Sequence, residues 1–224
     1  KMAVEKTLFV YPWTVADKGV EETVRFLKDE THIDALYVNC SYHSGRFFQP
    51  IHGNSVLTRH SSGVSFIPDS SFYPEELQPV IDGNAQPGLH EHIREACEKH
   101  GIRYYAWTVG LHQSTLGRKH PELCVTNVFG TTFDYALCPS QPVVRQYLTG
   151  LIRNVVETLM PARILIETPN FLGFVHGHHH ELILSQMGEV GQYLMSLCFC
   201  DACRQRAAQE GIDTEELAVI VRDH

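Results

Sequence analysis

The chain has 224 residues and a formal net charge of -8, with 18 basic and 26 acidic side chains interspersed. That length suits one sizeable core or part of a larger domain, and the charge leaves no clustered basic face of the kind nucleic acid needs. No apolar run approaches the roughly 20 residues that span a bilayer, and the N-terminus does not read as a secretion signal.

In chain order, strand and helix patterns alternate. Thr7–Val10 (TLFV) is predicted as a short buried strand, and a helix follows from about Val20 to Asp29 with Val20, Val24 and Leu27 on one face. Ile33–Asn39 is the second strand. A long loop from about Ser41 to Gly88 is expected next, rich in Ser, Gly, Pro and His and carrying Tyr42, Phe47, Phe48, Phe66, Phe72 and Tyr73. Loops of that length in compact domains are usually functional. Leu89–His100 is predicted helical, with Gly101 as its stop. Ile102–Val109 is a strand, Val143–Thr158 a long helix, Arg163–Glu167 (RILIE) a strand, and Leu182–Gln209 a last long helical stretch.

Four βα units without hairpin signals predict parallel strands covered by helices. No glycine-rich phosphate loop follows the first strand. Instead, polar and aromatic residues gather at the strand ends: Tyr11, Trp13, Asn39, Tyr42, His43, Trp107, His112 and Glu167. That decoration favours a (β/α)8 TIM-type barrel, whose active site lies at the C-terminal ends of its strands, over an open doubly wound sheet. A barrel needs about 250 residues. Residues 1–224 are therefore expected to be its N-terminal half, truncated or completed by another chain.

Cys198, Cys200 and Cys203 have C-x-C-x-x-C spacing, which lets three thiolates meet one ion without a long loop closure. Metal ligation in a reducing, cytoplasmic compartment fits this crowding better than disulfides do. A fourth ligand must come from elsewhere. Cys138 is the first choice, with Cys124 or a histidine from His176–His180 as alternatives. Four protein ligands leave no open position, so zinc held this way would be structural.

The segments His120-Pro121-Glu122, Gly130 and Cys138-Pro139-Ser140-Gln141-Pro142-Val143-Val144-Arg145, then Glu167 and the cysteine trio, resemble the catalytic barrel of family 42 beta-galactosidases and of related glycosyl hydrolases. The likeness covers roughly residues 102–210. It implies that Cys138 joins Cys198, Cys200 and Cys203 around one structural zinc, and that Glu167 is the general acid/base. Two departures stand out. The family carries Asn immediately before its glutamate where this chain has Ile166, and the stretch from Glu167 to Cys198 is longer here.

Glycoside hydrolysis needs two carboxylates. Glu167 is one. The second is not evident, and Asp17, Asp69 and Asp134 are candidates only by default. Trp13, Asn39, His43, Trp107, His112 and His178 are expected to contact a carbohydrate substrate. The run His176-Gly-His178-His179-His180-Glu181 supports an alternative, a metal-dependent enzyme of another class. A third reading is a carbohydrate-binding barrel without catalysis. A homo-oligomer, or a partner chain that completes the barrel, is the expected assembly.

Overall fold

The computed structural model describes residues 4–48, 57–176 and 187–223. Strand β1 (Thr7–Val10) leads through the short helix α1 (Pro12–Ala16) into α2 (Val20–Thr31), then β2 (Ala35–Phe48) and β3 (Leu57–Val64). After α3 (Leu89–Lys99) and β4 (Arg103–Val109) come α4 (Ser114–Lys119), the short strands β5 (Cys124–Thr126) and β6 (Thr132–Leu137), and α5 (Pro142–Asn154). The chain continues through β7 (Arg163–Glu167), α6 (Glu189–Ser196), α7 (Asp201–Gln209) and α8 (Thr214–Asp223).

The result is a mixed α/β fold around a parallel sheet ordered β1-β2-β4-β7, with β3 antiparallel on β2. Side chains alternate across a strand, so each strand has two faces. One face carries Leu36, Val38, Tyr104 and Ala106, which pack with Val20 and Val24 of α2, Ile93 and Cys97 of α3, and Val144 and Leu151 of α5. The other carries Phe9, Tyr37, Tyr105, Trp107 and Leu165, where Phe9 is 48% exposed. The start of this face is fastened by Glu5, which accepts from Tyr105 Oη at 2.5 Å and pairs with Arg103 and Arg163. Among the described residues, no helix is long and apolar enough to cross a membrane.

Four expectations need correction. Strand β1 is not buried, because it lies at the edge of the described sheet and Thr7, Leu8 and Phe9 are exposed. The stretch from Ser41 to Gly88 is not one irregular loop: β2 runs on to Phe48 and pairs with β3, Ser41 opposite Val64 and Phe48 opposite Leu57. Gly63 makes room for the segment that follows, because a Cβ there would lie 2.4 Å from the Val80 carbonyl oxygen. A second hairpin, β5–β6, occupies the connection after β4. Its turn is built by Asn127, whose Oδ1 accepts from the amides of Phe129 and Thr131, and by Gly130 at φ 79°.

The last long helical stretch is also broken, into α6 and α7, with Leu197–Cys200 between them. Residues two apart on a helix point in divergent directions. Cys198 and Cys200 can aim at one point only where the helix is interrupted. The stop after α3 behaves as expected: Gly101 takes φ 64° and donates to the Glu98 carbonyl, while Ile102 donates to that of Cys97.

Candidate active site and metal centre

Glu167 is the last residue of β7 and sits opposite Val109 of β4. In register it shares a sheet face with Trp107, whose Nε1 donates to Glu167 Oε2 at 2.6 Å. Trp107 in turn touches Phe9, Tyr11 and Tyr42, with ring centroids 5.2, 5.5 and 5.1 Å away. Trp13 stacks on Tyr11 at 4.9 Å, one helical turn beyond β1. An aromatic wall therefore surrounds the carboxylate at the C-terminal ends of β1, β2 and β4. Burial, a hydrogen bond with Tyr42 and the nearby Glu167 push the Tyr11 hydroxyl well above the ordinary phenol range. It stays protonated and neutral beside Glu167.

Asn39 lies on the same face, opposite Trp107, and is fully buried. Its Nδ2 donates to the Ser41 carbonyl at 3.0 Å, across an irregularity in the β2–β4 register, while its Oδ1 is buried without a hydrogen-bond partner. The Nε1 of Trp13 and the Oγ1 of Thr168 are orphaned in the same way. Buried polar atoms without partners are rare enough that each calls for an explanation, such as a ligand or an ordered water. Thr168 also holds φ at 52°, a region that branched side chains seldom enter. The conformation is enforced by pairing, since the Glu167 and Thr168 carbonyls accept from Gly110 and Leu111 at 2.8 and 3.0 Å. Strain of this kind costs on the order of 1–3 kcal/mol and clusters at functional sites.

The histidines form a column along the rim. His43 stacks on Tyr42 at 4.1 Å and on His112 at 4.5 Å, and His112 meets His176 at 5.0 Å. His43 Nδ1 donates to the Ser44 carbonyl, which fixes that ring's tautomer. His178 and the remainder of its run through Glu181 lie outside the described residues. Asp69 caps the turn at Ser70–Phe72, and Asp134 pairs with Arg118, so both are engaged elsewhere; Asp17 closes α1.

One pair went unanticipated. His60 on β3 is buried against Trp13, with centroids 5.1 Å apart, and its Nδ1 lies 3.6 Å from Asp82 Oδ2. Burial lowers its pKa and keeps the ring neutral. The Asp82 carboxylate is already satisfied by the amides of Ser61 and Asn84 and by both of their side chains. No motif marks this pair in the sequence, because it depends on β2–β3 pairing.

The cysteines meet as a group. Cys138 follows β6, while Cys198, Cys200 and Cys203 lie at the junction of α6 and α7. All four sulfurs are within 4.8 Å of one another and can hold a metal ion. Cys138 Sγ is 3.6, 3.8 and 3.7 Å from those of Cys203, Cys198 and Cys200. A tetrahedral ion bound to sulfur at about 2.3 Å needs edges of about 3.8 Å, whereas a disulfide needs about 2.05 Å. The donors thus fit an ion. Further groups steer the sulfurs: the Thr126 amide donates to Cys198 Sγ at 3.5 Å and Gln141 Nε2 to Cys200 Sγ at 3.9 Å. Cys124 is not part of the group; its thiol is buried and turned to the carbonyls of Gly117 and His120.

No family model matches the chain, and no curated protein matches it. Among solved structures, alpha-L-fucosidase isoenzyme 2 from Paenibacillus thiaminolyticus is similar in fold, with a TM-score of 0.59 and 11% sequence identity. The match covers 99% of this chain and 29% of that one, so this chain spans less than a third of the fucosidase's length.

Proposed function

We propose that this chain is part of a glycoside hydrolase, in which Glu167 supplies the proton that a departing glycosidic oxygen needs. The observation that carries the reading is the Trp107–Glu167 hydrogen bond of 2.6 Å at the C-terminal ends of parallel strands, inside an aromatic wall. Aromatic faces suit the apolar faces of sugar rings, and strand ends of this kind are where barrel enzymes keep their catalytic groups. Trp13, Asn39, His43, His112 and His178 are the proposed contacts to the sugar and its leaving group. The fold-level likeness to an alpha-L-fucosidase and the sequence resemblance to family 42 beta-galactosidases both point to this class of reaction.

The fuller architecture we propose is a (β/α)8 barrel. The sheet face bearing Phe9, Tyr37 and Trp107 is apolar and partly open, and further βα units would cover it. Those units, from more of the polypeptide or from a partner chain, would carry the second carboxylate. The ion we assign to the four cysteines is zinc. With four protein ligands it has no position for water or substrate and serves structure. A tetrathiolate also suits a reducing compartment such as the cytoplasm.

One observation favours a second reading, a carbohydrate-binding barrel without turnover. Ile166, opposite Thr108, stands where the resembled family carries Asn, and its apolar side chain offers no polar contact to a sugar. Glu167→Gln separates the two. On a panel of aryl glycosides that includes α-L-fucosides and β-D-galactosides, the hydrolase reading expects turnover to fall about 10²–10⁴-fold with the fold intact. Near-wild-type turnover in the variant sinks it, and binding without turnover in the wild type favours the second reading. Catalysis by an ion at His176–Glu181 would instead show as a second, exchangeable metal lost in His178→Ala.

A further inference from the structure

Strand β7 runs from Glu167 directly into the segment Thr168–His176, and that segment leans on the elements that carry the sulfurs. The Phe174 amide donates to Ser196 Oγ at 2.8 Å, and Ser196 Oγ donates to the Gln192 carbonyl at 2.7 Å, within the last turn of α6. Tyr135 Oη donates to the carbonyls of Gly173 and Phe174, at 3.1 and 3.2 Å. The approach is close: a Cβ on Gly173 would lie 2.7 Å from Ser196 Oγ. Leu172 is buried in the same cluster as Cys138 and Cys200, with Phe174 packed beside it. Cys198 follows Ser196 by two residues. The junction is held to β5 by the Phe199 amide on the Thr126 carbonyl at 2.7 Å and by the Thr126 amide on Cys198 Sγ. At its two ends the segment reaches the site, through the strained Thr168 and through His176 against His112.

We propose that the ion bound by the four cysteines sets the position of Thr168–His176, acting through Ser196 and Tyr135, and so aims Glu167 and His176. The inference rests on the proposed reading of the metal centre and of Glu167. An ion stabilises only those conformations in which all four sulfurs converge. Convergence fixes the α6–α7 junction against β6, and with it the hydroxyls of Ser196 and Tyr135 that hold the segment's backbone. Ser196 and Tyr135 are positioning residues. Neither needs to touch a substrate.

The test is hydrogen exchange on the full chain, read by peptide, with metal content measured on the same samples. In zinc-loaded protein the amides of 168–176 are expected to exchange slowly. Removing zinc with a chelator is expected to speed them about tenfold or more, while β2 and β4 change little. Ser196→Ala and Tyr135→Phe, each still holding about one zinc per chain, are expected to loosen the same segment several-fold without loosening the sheet. Restoration of slow exchange in Ser196→Thr would support the hydroxyl as the agent. If chelation unfolds the whole chain, the two zinc-loaded variants decide the matter. A zinc-loaded variant whose segment exchanges like the wild type overturns the proposal and leaves the metal centre standing. A wild-type chain that takes up no zinc overturns the metal centre itself, and the coupling with it.

Discussion

His90 of α3 is a residue whose chemistry follows from its partners alone. Ser65 Oγ donates to the Asn39 carbonyl at 2.7 Å, so the hydroxyl is left to accept from His90 Nε2 at 2.9 Å. His90 Nδ1 then accepts from Tyr104 Oη at 2.9 Å. The ring is neutral and fully committed, and burial lowers its pKa from 6.5 to about 4. The unfolded chain takes up a proton below about pH 6.5, while the folded one resists until about pH 4. Stability from this group is therefore complete above the higher value and is lost as pH falls toward the lower, by on the order of 3 kcal/mol. Urea unfolding across that window should show the decline. His90→Asn, less stable throughout, should show a shallower one; an unchanged slope in that variant would contradict the assignment. Little of this was legible beforehand, because a histidine in an amphipathic helix does not announce which hydroxyls face it. Glu167 was marked by its place at the end of an apolar strand and by the family resemblance, whereas its hydrogen bond from Trp107 depends on the pairing of β4 with β7.

At the scale of elements, close approach of backbones decides what the sequence alone leaves open. Gly117 in α4 is an example. A Cβ there would lie 1.9 Å from the Asp134 carbonyl oxygen and 3.0 Å from Cys124 Sγ, so α4 can cross β6 only over a glycine. Helix propensity favours Gly117→Ala by about 1 kcal/mol. Overpacking should outweigh it and leave the variant about 1–3 kcal/mol less stable in chemical denaturation. A variant as stable as the wild type would mean that the crossing is looser than described. Strands β1 and β7 were readable to the residue as short apolar runs, yet β1 is not buried: Thr7, Leu8 and Phe9 are exposed, and β7 is only half-buried. The outer half of β2 was not. Ser41, Ser44, Gly45 and Arg46 have the composition of a loop, and only pairing with β3 makes them a strand. Tyr42 and Phe47 were visible as aromatics, yet their role as the wall around Trp107 and Trp13 depends on that pairing.

At the scale of the whole molecule, two of the packed regions among the described residues bear on the site. The larger joins α2, α3 and α5 to the sheet, and the smaller gathers Val125, Phe133, Tyr135, Leu172 and the cysteines. The smaller region holds little apolar surface for the connections it must fix, which is the circumstance in which a bound ion contributes folding energy directly. The cysteine spacing made three ligands legible. For the fourth, Cys138 was the first choice over Cys124 or a histidine of His176–His180, the family resemblance implied the same set, and the structure brings the four together. In the proposed coupling, the segment Thr168–His176 that follows Glu167 is held from the cysteine side through Ser196 and Tyr135. The central claim is that one ion, bound by sulfurs from two distant segments, underlies the site. Titration of the reduced chain with Co2+ tests it most directly. The account predicts sulfur-to-cobalt charge-transfer and tetrahedral d–d bands that saturate at about one equivalent and are displaced by Zn2+, with loss of that site in Cys138→Ser as well as in Cys200→Ser. A tetrathiolate spectrum that survives intact in Cys138→Ser, or no such spectrum in the wild type, would contradict it.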